Sequence, residues 1–185
     1  MQIIPPRARE QYMDSPMNAE ELSRDLRCGG GRFLHRRRNI VGLSFFSCAM
    51  LGTVALYQLG ILKKLPQPQF KLFDTAKVNG SSEAYSNLAT PDAFLGLASY
   101  SITAVLAGMG PENRARTHPW MALGMGLKLL ADALMAAKLT MDEVRKFKAF
   151  SLWSVLTALA TWSALPMAVP ETKAALRRIA GRDEV

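Results

Sequence analysis

The chain has 185 residues, 49% of them hydrophobic, and a formal net charge of +8. The apolar residues are gathered into four runs between charged segments, which excludes an ordinary soluble globule and reads as a polytopic membrane protein. The positive balance then follows from the topological bias of Lys and Arg, not from nucleic-acid binding. Cys28 lies in a polar segment and Cys48 in an apolar run, so neither a disulfide framework nor a zinc site is expected.

Residues 1–38 carry eight arginines against five acids. Ser15 to Arg27 is expected to form a short helix, with Asn18 and Glu21 spaced like a capping box, and Gly29-Gly30-Gly31 to break it. The triple glycine lacks the lysine and hydroxyl of a phosphate loop. This segment reads as a basic cytoplasmic arm, either flexible or docked on a partner or on anionic headgroups. Ile40 to Leu62 is 23 residues without a formal charge, the first span. Its one strongly polar side chain, Gln58, is expected to reach interface water. Residues 63–91 form a polar linker too long for a simple connection. Asn79-Gly80 marks a turn, and Ser81 to Asn87 a short helix with Tyr85 directed at the membrane surface.

Thr90-Pro91-Asp92 signals a helix start, with a hydroxyl cap, a proline at the first position and an acid in the first turn. Residues 93–109 form a second span rich in small residues. After a loop bearing Arg114 and Arg116, the third span runs over 120–137, with Trp120 at the interface and Gly124, Gly126 and Ala131 for close packing. Lys128 and Asp132 stand mid-span at i and i+4, where they are expected to face the interior and each other. They read either as a structural ion pair or as a relay or ligand contact. Residues 138–148 form a charged loop with Thr140-x-x-Glu143 as a capping signature. The fourth span covers 149–169, kinked or ended near Pro166 and closed by Pro170, before a tail whose short helix breaks at Gly181. The expected organisation is an all-α, four-helix membrane domain over 39–170 between the arm and a tail over 171–185.

With the N-terminus inside, the inner segments hold 14 Lys and Arg and the outer loops 8. The Arg32 to Arg38 cluster beside the first span fixes the same sense. Both termini are expected in the cytoplasm, in a bacterial inner membrane. His35 and His118 then stand at cytoplasmic helix ends, each a boundary residue or a lone ligand to haem or chlorophyll.

Four spans, inner termini, a long outer loop after the first span and Ser151-Leu152-Trp153-Ser154 at the outer start of the fourth together resemble the vitamin K epoxide reductase family. The stretches that carry the likeness are Thr90 to Tyr100, similar to the family's second-span entrance, and Lys138 to Ser154, similar to the approach to its Cys-x-x-Cys. The resemblance implies a site where a dithiol reduces a quinone and is recharged through outer-loop cysteines. Here Ser151 and Ser154 occupy the dithiol positions, and residues 63–91 contain no cysteine. A hydroxyl cannot perform thiol–disulfide exchange, so the chain reads as a natural pseudoenzyme.

Two functions follow from that reading. One is an accessory subunit of a larger membrane complex, respiratory or photosynthetic, with integral membrane partners and its basic arm tied down on the cytoplasmic side. The other is a quinone-binding protein that keeps the pocket, lined by Tyr85, Ser151, Trp153 and Ser154, without the chemistry. Neither requires a metal, and no cofactor is fixed by the sequence, a bound quinone or lipid being the expected candidate. An enzyme built on Lys128 and Asp132 lacks a nucleophile–base pair or metal cluster beside them.

Overall fold

A computed structural model describes residues 19–66, 73–86 and 88–181. Asn18 with its expected cap, Pro68, Lys71, Asn87 and the last four residues lie outside the described set. The elements are α1 (Ala19–Cys28), α2 (Arg32–Gln58), α3 (Thr75–Asn79), a 3₁₀ turn (Ser82–Tyr85), α4 (Asp92–Gly108), α5 (Arg114–Thr117), α6 (Pro119–Asp142), a π-helical turn (Glu143–Phe147) and α7 (Leu152–Ile179). Helix α2, α6 with its π turn, and α7 are each long and apolar enough to cross a membrane, and α4 is a shorter apolar helix. The expected all-α membrane bundle is what the chain forms.

Packing follows from where the small residues fall. Helix α2 lies against α4 and α7, and α6 lies along α7. The interior is largely alanine, with Ile40, Met125 and Leu129 as its bulk among Ala107, Ala164 and Ala168. Large side chains such as Phe45, Val105, Leu127 and Leu134 point outward. This is the pattern of helices whose solvent is lipid, where close backbone approach replaces hydrophobic burial as the packing force. A Cβ added to Gly126 would overlap the Thr172 side chain, so this glycine sets the α6–α7 approach, whereas Gly124 faces open space and contributes nothing to packing.

Several boundaries differ from expectation. Helix α2 begins at Arg32 and ends at Gln58, because its arginines extend the helix and Gly60, at φ 77°, turns the chain. Helix α7 runs unbroken through Pro166 and Pro170. Each proline removes one backbone donor, which a packed membrane helix tolerates; Ala164, Ala168 and Glu171 on its buried face hold it in place. Thr140 starts no new helix. Its hydroxyl donates to the Ala136 carbonyl at 2.8 Å, and α6 continues past it. Gly29 and Gly31 do more than break α1, since a Cβ on either would collide with the Glu112 carboxylate. Gly29 and Gly31 thus seat the loop between α4 and α5, while Gly30 faces open space.

The end of the bundle where α2 starts and α7 finishes is held by two buried arginines. The guanidinium of Arg37 donates to the carbonyls of Ala107, Met109, Gly110 and Pro111 at 2.7 to 2.9 Å. It satisfies the open carbonyls at the end of α4, which no later turn of helix covers. Arg114 donates to Leu106 and Met109 carbonyls at 2.6 Å each and pairs with Glu171 through two bonds at 2.8 and 3.3 Å.

Candidate functional site

The opposite end of the bundle gathers the residues singled out from the sequence. Ser151 is not on a helical face with Ser154. It is the N-cap of α7, in extended backbone, and its Oγ accepts from the Ser154 amide. Its side chain is fully buried, and Oγ also accepts from Asn79 Nδ2 at 2.9 Å. The Ser151 amide donates to Glu143 Oε2 at 3.2 Å, and the Ser154 side chain faces the same carboxylate. Glu143, expected to cap a surface helix, instead turns inward from the π-helical turn to hold the start of α7.

Asn79 reaches Ser151 because α3 is fastened to the same strand of chain. The Asp74 amide donates to the Phe150 carbonyl at 3.2 Å, and the Asp74 side chain caps α3 by accepting from the Lys77 amide at 3.0 Å. Phe73 and Phe150 pair as an isolated parallel bridge, with ring centroids 6.4 Å apart. Lys77 donates to the Phe147 carbonyl, and Lys146 pairs with Glu83, both at 3.0 Å. The long linker is therefore folded back over the bundle mouth.

Gln58 ties this layer to α4. It is buried, not at interface water. Its Nε2 donates to Asp92 Oδ1 at 2.7 Å and to the Asn79 carbonyl at 3.3 Å, and its Oε1 accepts from the Ala93 amide at 3.4 Å. The expected Thr90 cap does not form. The N-cap of α4 is Pro91, and the Thr90 hydroxyl donates to Leu88, so Gln58 of α2 does the capping across the bundle. Tyr85 donates its hydroxyl to the Gln58 carbonyl at 2.9 Å, with its ring partly exposed.

Tyr85, Ser151 and Ser154 are thus joined through Gln58 and Asn79. Trp153 packs by Val54, Ala55 and Ala93, and its indole donates to the Pro66 carbonyl at 3.3 Å. A quinone carbonyl at this end would have to displace one of these backbone acceptors to gain the Tyr85 or Trp153 donor. Asn79, Gln58 and Glu143 are the members that sequence reasoning missed. Asn79 was legible only as a turn residue, and Gln58 as an isolated polar group near a span end.

Lys128 and Asp132 do meet, in the middle of the bundle. The ammonium lies 2.7 Å from Asp132 Oδ2 and donates to the Ser99 and Thr103 hydroxyls at 2.9 and 3.1 Å. Those hydroxyls donate in turn to the two Asp132 oxygens at 2.9 and 2.7 Å. All three ammonium protons have acceptors, so the cluster is closed on itself. His118 contacts the Thr117 hydroxyl at 3.0 Å, and His35 is exposed in the first turn of α2. Both cysteines are free thiols; Cys28 is exposed and Cys48 half-buried beside Leu97 and Ser101.

Four packed helices with a loop folded over the start of the last one define a helical membrane protein of the kind anticipated from the sequence. The profile of the Vitamin K epoxide reductase family matches residues 39–169, and the chain belongs to that family. No curated protein and no solved structure matches it.

Replacing Ser151 with alanine is expected to release the loop. The buried Asn79 amide would lose its acceptor, and α7 its cap, together costing about 2–3 kcal/mol. Hydrogen exchange should quicken across residues 73–86 and 151–155 while α6 stays protected. Ser151→Thr, which keeps the hydroxyl, should retain the protection.

Proposed function

We propose that this chain is a non-catalytic member of its family and serves as a membrane-embedded accessory subunit of a larger membrane protein complex. The observation that carries the reading is Ser151. At the position where the resemblance places a redox thiol stands a buried hydroxyl that accepts from Asn79 and caps α7. The group is a fastener for the loop, and serine cannot exchange electrons with a disulfide. The chain's two cysteines are elsewhere, at 28 and 48.

A subunit role is supported by α1, docked on α2 through Arg38 and the Leu26 carbonyl at 2.8 Å, which presents further arginines at the end bearing the basic arm. We place both termini in the cytoplasm of a bacterial inner membrane, with the Ser151 end outside. The second reading, a quinone held near Tyr85, Ser151, Trp153 and Ser154, rests on the gathering of polar groups at that end.

Gentle detergent extraction from the native membrane, native-gel sizing and mass spectrometry of the co-migrating band test the proposal. Co-migration with stoichiometric integral membrane partners is the expected result. Migration as a lone bundle would sink the subunit reading, and a quinone in the extracted protein would favour the second. Reductant-driven quinone turnover by the purified chain would overturn the non-catalytic assignment.

A further inference from the structure

A groove of about 340 Å³ runs along the seam between α6 and α7 on the outward face of the bundle. Ala137, Met141, Val144, Phe150 and Trp162 form its walls, and Arg145 is the one charged residue lining it. The two polar groups in the walls are turned away. Trp162 donates to the Ala133 carbonyl at 3.3 Å and Thr140 to the Ala136 carbonyl at 2.8 Å, so the groove presents carbon. Because α6 and α7 are antiparallel, Trp162 and Ala137 lie at its deep end, and Val144, Arg145 and Phe150 at its mouth.

Height in the membrane assigns the two ends different surroundings. From the exposed Trp120 to Arg145 the helix rises roughly 35 Å, more than the ~30 Å of a hydrocarbon core. With Trp120 at one interface, Arg145 stands among the headgroups of the other, and the apolar part of the groove lies in the acyl region.

Arg145 has no hydrogen-bond or ion-pair partner among the described residues. Its neighbours are engaged: Lys146 by Glu83 and Glu143 by the Ser151 amide. Lys138 and Lys148, on the same stretch of chain, also have no ion-pair partner among the described residues. An apolar slot parallel to the membrane normal, closed at headgroup height by an unengaged guanidinium, matches an amphiphile with an anionic head. The planar fork of Arg suits a phosphate, whereas a neutral quinone gains little from a full charge at the slot's mouth.

We propose that this groove binds one anionic phospholipid, with an acyl chain between α6 and α7 and the headgroup phosphate on Arg145. The inference is independent of the accessory-subunit reading, because a lone bundle and an assembled subunit would both carry the lipid.

The test is to reconstitute the full chain into vesicles of phosphatidylglycerol and phosphatidylcholine in equal amounts, re-extract it in mild detergent and count retained lipids by native mass spectrometry. The wild-type chain should retain one phosphatidylglycerol in preference to phosphatidylcholine. Arg145→Gln, at an exposed position that folding does not need, should lower that retention by about fivefold, the expectation for one cation at an anionic surface. Arg145→Lys should restore part of it. Arg116→Gln, an exposed arginine at the other end of the bundle, should leave it unchanged, and Ala137→Trp, which fills the groove, should abolish it. Equal retention by wild type and Arg145→Gln, indifference between the two lipids, or a retained quinone in place of phospholipid would each overturn the proposal.

Discussion

Replacing Arg114 with methionine is expected to destabilise the protein by ~4 kcal/mol, the scale for removing one partner of a buried ion pair. Both side chains of the pair are almost completely buried, at 0% and 2% exposure. Without Arg114, the Glu171 carboxylate would be held in the interior without its cation, and the Leu106 carbonyl would lose its side-chain donor, while Met109 would keep Arg37. Glu171→Gln should cost less, because the amide can still accept from the guanidinium. The double variant Arg114→Met with Glu171→Leu should recover part of the loss, since paired apolar replacement of a buried ion pair is often close to neutral. It should still fall short by ~1–3 kcal/mol, because the Leu106 carbonyl remains unsatisfied. Unfolding in detergent micelles, followed by circular dichroism, reads all three. An unshifted transition for Arg114→Met would show that the pair does not hold the bundle.

The second large effect is expected at Lys128. Lys128→Met strands Asp132, which is 8% exposed, among hydroxyls in the middle of the membrane, at a cost of ~3 kcal/mol. Lys128→Met with Asp132→Leu should return stability close to wild type while leaving Ser99 and Thr103 to bond backbone carbonyls, as Thr103 already does toward Ser99 at 3.3 Å. The double variant separates two roles. If it folds and assembles like wild type, the pair is structural. If it folds normally but loses its partners or a bound ligand, the charges themselves are used.

The bundle was legible from the distribution of charge, and the family from two short stretches around Thr90 and Ser151. What stayed hidden has a common cause: polar side chains that act across the bundle leave only weak local signals. Arg37 lay inside a run of arginines that topology alone explains. Successive helical side chains diverge by about 100°, so at most one of Arg36, Arg37 and Arg38 can lie on a narrow inward stripe. The buried stripe Leu34, Arg37, Ile40, Ser44 and Ser47 shows which one. Glu171 continues the stripe of Ala164 and Ala168 in the same way. That periodicity was present in the sequence. The partner of each group was not, because Asn79 and Ser151, or Gln58 and Asp92, are brought together only by the folding of the long loop and the crossing of α2 and α4. The capping signals at Thr90 and Thr140 misled for a related reason: a local hydroxyl rule lost to a buried amide from another helix in one case and to continued helix in the other.

Helix α4, at 17 residues, rises only ~26 Å, several ångströms less than a typical hydrocarbon core. Its open end is completed by Arg37 and Arg114, so the helix stops with its last carbonyls already paired. The longer helices can lean to suit the lipid around them, but α4 has no spare turn with which to follow. A short membrane helix meets a thicker hydrocarbon core by local thinning, flanking side chains or association, at a cost that accumulates with each ångström of mismatch. The two arginines at the end of one short helix thereby let it finish a turn early with its last carbonyls paired.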